Sequence, residues 1–364
     1  MATRSARRTG LWLLAAALLL AATALVAMLS EEGGPVPARA AVEFPTQLRG
    51  PEYLRMNRRA TLPPLPQAGS PAAAPPERKR DPLLWALPPG PAGAVVVFEA
   101  NALRHSRLGE LFLGCLGESE KKDLDELRRM GIDPLKDVDR VAVMPKGLAV
   151  SGFFDKVSWD QVFHGFARER YGSESVLYED PGRGRFAAAV WRSQLIVLGP
   201  DPDAVRAAVD RVEGRAPATP PIAEDATYGE VYGVVPGEAL RALVPPGTPG
   251  DLARRLAEVA SRVELHADAM SDVAVTARVS GEDRAALEDL ARALGAALAV
   301  GRMEARASGE RELAELLDHA RVARGGEGFS LELALPAELL ERWFAGCRDR
   351  VGAEPGRPAG EGRP

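Results

Sequence analysis

Beyond Asp81 the hydrophobic pattern switches repeatedly between two periods. "AGAVVVFEA", "DRVAVMP" and "LAVSGFFD" hold continuous or alternating apolar residues, the strand signature, and Lys146-Gly147 joins the last two. "RLGELFLGCLG" and "KKDLDELRRMG" space apolar residues three and four apart, as helices do. "SWDQVFHGFARERYG" reads as one helix capped by Ser158. "SVLYED", "RFAAAVW" and "QLIVLG" read as strands. "PDAVRAAVDRVEG" reads as a helix with Pro202 in its first turn, where the missing N–H is no loss. After the turn-rich "RAPATPPIAED" the order partly recurs: strand "EVYGVVP", helix "DLARRLAEVASR", hairpin "VELHADAM" and "DVAVTARV", helix "EDRAALEDLARALGAAL".

One local plan is used three times. "QLIVLGPDPDAVRAAVDRVEG", "VAVTARVSGEDRAALEDLARALG" and "FSLELALPAELLERWFAG" each run strand, capped turn, amphipathic helix, the last with Pro336 in its first turn. Strand pairs alternating with helices predict an α+β fold of two related modules, 81–216 and 226–350, with antiparallel sheets under helices, for which ferredoxin-like units are one arrangement. Residues 217–225 link them, and the tail 351–364 reads as disordered.

The first 80 residues follow other rules. "GLWLLAAALLLAATALVAMLS", Gly10 to Ser30, is uncharged. About 20 apolar residues span a hydrocarbon core of ~30 Å, so 10–30 reads as a transmembrane signal anchor. Arg4, Arg7 and Arg8 in the basic stretch 1–9 place the N-terminus in the cytoplasm and the rest outside it. The expected location is the bacterial inner membrane, single-pass. A cleaved, secreted form is the alternative, although an ordinary signal peptide has a shorter apolar core. Residues 31–80 are Pro-rich and lack apolar periodicity, so they read as a disordered linker that holds the modules off the bilayer. "EYLRMNRRATLPPLP" within it carries Tyr53, Leu54 and Met56 among arginines, which suits a docking peptide or an anionic headgroup, set against a plain solvated spacer.

Charge narrows the partners. The net charge is −5, yet residues 1–80 carry a positive excess, so the region beyond them is strongly acidic. Nucleic-acid binding needs a basic face, so no nucleic-acid partner is expected. The expected partners are the membrane and another protein or a second copy.

Candidate chemistry is sparse. "GIDPLKDVDRVAVMP" gathers Asp133, Asp137 and Asp139, but the spacing misses the EF-hand pattern. Gly131 can end the preceding helix, Asp133-Pro134 can start a turn and Asp137 can cap one, so the stretch reads as a helix-to-strand connector. Cys115 and Cys347 each close a core stripe: Leu108, Leu111, Phe112, Cys115 and Leu340, Trp343, Phe344, Cys347. Export makes a bridge between them chemically feasible. His266 and Asp268 share one side of a strand but lack a third ligand for zinc. His164 lies on a polar face with Asp160 and Arg168, and His105 and His319 take ordinary polar positions. "SEKK", Ser119 to Lys122, has the S-x-x-K form without partner motifs. "PGRGRF", Pro181 to Phe186, reads as a hairpin turn rather than an anion cradle. No catalytic, cofactor or metal residue is assigned, and no cofactor is expected. Nine aromatics between Phe153 and Trp191 are the one dense anomaly; any that surface make a partner-binding patch.

"GIDPLKDVDRVAV" followed by "GLAVSGFFD", and the later "GEGFSLELALPAELLERWF", resemble stretches of uncharacterised exported bacterial proteins. The resemblance implies an envelope protein without known catalysis and carries over no functional residue. Anchor, spacer and α+β modules are also similar in layout to assembly-platform subunits of secretion machines. The expected function is therefore non-enzymatic: exported modules that mediate protein–protein interaction or assembly. An exported hydrolase with a site built from distant residues, or a small-ligand sensor, is the alternative.

Overall fold

Twelve strands hydrogen-bond side by side in a single antiparallel sheet. The computed structural model describes residues 44–53, 55, 60–62, 78–90, 93–115, 118–182, 186–243, 251–342 and 344. The segment read as an anchor, 10–30, and the tail 351–364 lie outside these. Among the described residues no helix is long and apolar enough to cross a membrane.

A small hairpin, β1 (Ala60–Leu62) with β2 (Arg78–Arg80), precedes the main sheet. The first half of that sheet contains β3 (Val95–Phe98), β4 (Val138–Met144), β5 (Gly147–Gly152), β6 (Ala167–Tyr171), β7 (Ser175–Glu179), β8 (Ala187–Trp191) and β9 (Leu195–Gly199). The second contains β10 (Val231–Pro236), β11 (Arg262–Asp268), β12 (Val273–Ser280), β13 (Ala320–Gly325) and β14 (Gly328–Leu335). The order is β13-β14-β12-β11-β10-β3-β4-β5-β9-β8-β7-β6. Each half opens with a strand, crosses through helices to an antiparallel neighbour and turns a hairpin; the first half then returns the four-stranded meander β6–β9 to that hairpin's free side, the second half the hairpin β13–β14.

Two expectations change. Separate sheets become one, because β3 pairs with β10 through Val96–Gly233 and Val97–Tyr232 among other partners. The ferredoxin-like plan changes too: the first helical crossover of each half, β3 to β4 and β10 to β11, returns to an adjacent antiparallel strand, whereas β12 reaches a parallel β13 with β14 between them.

The helices are α1 (Gly50–Tyr53), α2 (Pro82–Ala86), α3 (Ala100–Leu103), α4 (Arg107–Gly114), α5 (Glu118–Arg129), α6 (Trp159–Val162), α7 (Pro202–Val212), α8 (Gly237–Leu243), α9 (Asp251–Val259), α10 (Arg284–Ala307) and α11 (Arg311–Asp318). Two caps follow the local sequence, Asp201 accepting from the Asp203 and Ala204 N–H groups with Pro202 next to it and Asp283 accepting from Ala286, whereas Ser158, expected as a cap, stands at the N-cap without a side-chain bond. The helix expected to run on from Ser158 stops at Val162. Gly165 adopts φ +84°, and "ARERY" then pairs as β6 with β7.

The two halves bury opposite faces of the sheet. Val97, Ala142, Ala149, Val197, Ala189 and Leu177 follow one cross-strand row and pack under α2 and α7. In the second half Val273, Val279, Phe329, Leu333 and Leu335 point the other way, under α9, α10 and α11. Leu111 of α4 is 1% exposed within that second core, so a helix from the first half closes the second. Cys115, at the end of α4, is disulfide-bonded, and Cys347 is the chain's one other cysteine, outside the described residues. Arg107 also pairs with Glu341, tying α4 to residues 337–342.

The seam is polar inside. Arg140 is 3% exposed and donates to both oxygens of Asp81, at 2.5 and 2.9 Å, and to Ser151 Oγ at 3.3 Å. Tyr232, fully buried, donates to Glu99 Oε1 at 3.0 Å. Burial and the Glu99 charge together hold the Tyr232 phenol protonated.

The Pro-rich linker is only partly a spacer. Residues 44–55 form a strap against the second half. Leu48 is buried, Glu52 is 2% exposed, and Arg321 lies over the Phe44 ring at 5.0 Å. Glu52 accepts from the Gly229 N–H at 2.8 Å, and Arg55 donates to the Gly229 carbonyl at 2.7 Å and to Glu230 at 2.9 Å. Arg49 pairs with Asp268 and Glu52.

Replacing Arg140 with Ala leaves the Asp81 carboxylate buried without its cation. The expected loss is about 3–5 kcal/mol of folding stability, read by urea denaturation. A loss below about 1 kcal/mol would mean that water already reaches the pair.

Candidate interaction surface

The reverse face of the first half lacks the helical cover that the second half has. Its filling comes from "GFFDKVSWDQVFHGF", which leaves β5 and crosses back over the sheet. Phe154 meets Trp159 edge-on at 5.8 Å, Trp159 stacks near Phe163 at 6.0 Å, and Phe163 stacks on Tyr178 of β7 at 4.7 Å. Phe163 touches Phe166 at 5.6 Å, and Phe166 touches Phe186 at 5.9 Å. Beneath them Tyr178, Ala188 and Val190 are buried, with Val176 and Leu198 half-covered, and Ile196 beside Val190 is buried on the same face. Phe153 is 72% exposed and Phe186 36%. The Trp159 indole N–H is buried without an acceptor, although tryptophan N–H groups usually find one. Two of the nine aromatics, Tyr171 and Trp191, pack on the other face.

Charge borders this surface. Arg168 and Arg170 of the edge strand β6 lie in register with Tyr178 and Val176 and share their face. Arg168 lies 3.5 Å from Asp160, which also accepts from Tyr178, and burial with that carboxylate pushes the Tyr178 phenol up to about 12. Arginine on an exposed edge discourages strand addition. The aromatic face, not the edge, is therefore what this half offers.

The other candidates resolve into local structure. Asp137 accepts from the Asp133 N–H at 2.6 Å, and Asp133 accepts from Leu135 at 3.1 Å. Burial raises the Asp133 pKa, but the Leu135 N–H, Lys136 and Arg128 lower it further, so the carboxylate is stabilised as an anion. Asp139 lies 3.9 Å from Arg140. These three serve the chain path from α5 into β4, with Gly131 at φ +88° ending the helix. No group of three or more His, Cys, Asp or Glu able to hold a metal occurs among the described residues.

His266 and Asp268 share a face but not a task. Asp268 pairs with Arg49 and accepts from Met270 N, while His266 stacks on Tyr228 at 3.7 Å and bonds its carbonyl through Nδ1 at 3.2 Å. The carbonyl only accepts, so Nδ1 carries the proton; Nε2 is buried without a partner, as is Thr276 Oγ1 on the next strand. His164 is exposed, His105 bonds the Asn101 carbonyl, and His319 ends α11. Ser119 and Lys122 sit in α5 with no assembled site around Lys122. Asp180 accepts from Gly182 N at 2.9 Å in the turn after β7, and 183–185 lie outside the described residues.

The residues missed by sequence reasoning are those of the strap. Arg49, Glu52 and Arg55 recur every third position; Glu52 and Arg55 meet Gly229, whose φ of +84° disfavours a side chain and where a Cβ would lie 2.5 Å from the Ala267 carbonyl oxygen, and Arg49 meets Asp268 on the neighbouring strand. That spacing is the sequence signal, hidden by the surrounding prolines. Glu230 gains ion-pair contact from Arg55 and a bond from Ala269 N, yet burial raises its pKa above the usual carboxylate range.

A cavity of about 510 Å³ lies at the far end of β10, lined by Pro236, Glu238, Glu258, Ser261, Glu282 and Asp283 among others. Ser261 in its wall donates to the Ser280 carbonyl at 3.2 Å.

No family model matches the chain, and no curated protein does. Crystal form I of TP0453 is similar with a TM-score of 0.38 at 12% sequence identity, over 72% of this chain and 96% of that one. At that score the overlap supports no argument about fold or function.

Burial lowers the His266 pKa to about 4, against the Tyr228 carbonyl that raises it. The unfolded chain therefore binds the proton first, near pH 6.5, and folding stability falls as pH drops from there to about 4. Relative to the His266→Phe variant, which keeps the stack, the native protein is expected to lose roughly 3 kcal/mol across that window. Parallel pH–stability curves for the two proteins would show that His266 takes up its proton without unfolding.

Proposed function

We propose that this is a non-enzymatic, single-pass envelope protein whose exported α+β region mediates protein–protein interaction or assembly. In this reading 10–30 is the anchor, and 81–216 with 226–350 form two related modules behind it. The observation that carries the reading is the aromatic surface: a row of stacked rings over a thinly covered sheet face, with Phe153 and Phe186 exposed and the Trp159 N–H unanswered. Exposed aromatic clusters rimmed by arginine are the composition that anchors interfaces. The disulfide at Cys115 fits an oxidising compartment outside the cytoplasm. The occupant is a protein partner or a second copy of this chain.

The test is crosslinking in native membranes followed by capture of the full chain. The native protein should yield a discrete crosslinked species. Phe153→Asp combined with Phe186→Asp should reduce that species at least about thirtyfold, the size of a hot-spot loss of roughly 2 kcal/mol. Melting temperature should hold for Phe153→Asp alone, since Phe153 is 72% exposed, and that single variant, which should weaken the crosslink in the same direction, separates loss of binding from loss of the Phe166–Phe186 contact. Crosslinks that persist undiminished in the double variant place the interface elsewhere; a native protein that yields none argues against the interaction role.

A further inference from the structure

We infer that the sheet end carrying the strap is the face this protein turns to a lipid surface, with Met270 and Phe112 as apolar contacts. The inference rests on the anchored reading above and adds an orientation to it.

The length of chain ahead of the strap is the first support. The docked chain begins by Phe44, whose ring lies under Arg321, and continues through Arg49, Glu52 and Arg55. Only residues 31–43 then separate Ser30 from the folded body. Fully extended they reach at most about 45 Å, against about 175 Å had all of 31–80 been free. A body of this size has a radius of gyration of roughly 18 Å, so the tether is no longer than the body is wide. A short tether attached at one point keeps that point near the membrane.

The apolar groups at that point are the second. Among the described residues, two of the four large exposed hydrophobics lie there: Met270 at 47% and Phe112 at 48%. Met270 follows Asp268, the partner of Arg49, in the loop from β11 to β12, and its N–H donates to the Asp268 carboxylate. Its carbonyl accepts from Arg107 N at 3.4 Å, at the start of the helix that carries Phe112. Strap, loop and helix thus meet at one corner.

The opposite end of β10 is the third. There the cavity beyond Pro236 is lined by Glu238, Glu258, Glu282 and Asp283. An anionic leaflet repels such a surface, which favours turning it away.

The test uses the full chain in phosphatidylcholine–phosphatidylglycerol vesicles that carry a nitroxide on the acyl chain. A fluorophore is attached at Met270→Cys, with Ser271→Cys as a second site in the same exposed loop. Lys146→Cys, in the turn between β4 and β5 at the far end of those strands, is the reference. Cys115 is disulfide-bonded and does not compete for the label. Loops that dip roughly 5–10 Å into the headgroup boundary bring the dye within reach of the nitroxide, so emission at 270 and 271 should fall at least about twofold while that at 146 holds. Glu52→Gln with Arg55→Ala frees the strap and should abolish the difference. Protein retained on vesicles at alkaline pH, with dyes at 270 and 271 quenched no more than at 146, overturns the orientation and leaves the anchored reading standing. Protein that washes off overturns both.

Discussion

The pairing of β3 with β10 makes one molecule of two halves, and the chemistry behind it explains why the seam holds. Four residues of β3 face four of β10, a short ladder for so wide a sheet. Side chains reinforce it from within. Tyr232 on β10 bonds Glu99 just past β3, and Arg140 on β4 clamps Asp81 at the start of α2. Buried ion pairs add little stability against an apolar alternative, but leaving one partner alone is costly. The seam is thus a constraint on geometry: a slip of one residue between β3 and β10 would part the buried Tyr232 hydroxyl from Glu99.

The seam also separates the two buried faces. Helices α2 and α7 cover one side of the first half, while α9, α10 and α11 cover the other side of the second. One helix crosses the join: α4 belongs to the first half by sequence and to the second by packing, held by Leu111, Arg107 and the bonded Cys115. The face left thin by this arrangement is the reverse of the first half. Stacked aromatics close it with few residues, since each ring covers 150–250 Å² or so and two torsions fix it. An aromatic cover over a thin core leaves ring edges outside, which is how packing and binding come to share the same residues.

Much of this was legible in the sequence, for a reason. The β4–β5 and β11–β12 hairpins, and the capped helices α7 and α10, depend on near neighbours: periodicity, a cap, a proline at N1. Asp133 and Asp137 were legible as turn formers for the same reason, their acceptor bonds spanning two and four residues. Features set by distant partners were not. "ARERYG" satisfies a helical pattern equally well until Gly165 takes a left-handed conformation and β7 supplies a ladder. The joining of two sheets into one is decided by Val96, Val97 and Gly233, which read as ordinary strand residues. The strap shows the extreme case: no apolar period marks it, because a buried carboxylate and two arginines hold it rather than a hydrophobic stripe.

That difference in chemistry bears on how the strap is held. A hydrophobic stripe would bind wherever apolar surface is offered. Glu52 and Arg55 instead read the two sides of one residue, donor and acceptor at Gly229, and Glu230 beside it is buried to 1% exposure. Detaching the strap leaves the Gly229 N–H without its acceptor and the Glu230 carboxylate without its cation, each a desolvation cost of the kind that makes such contacts all-or-none. The spacing of Arg49, Glu52 and Arg55 therefore fixes one register on one edge. Because every strand end at that edge belongs to the same sheet, fixing the strap fixes the direction of the whole sheet relative to the chain that leads into it.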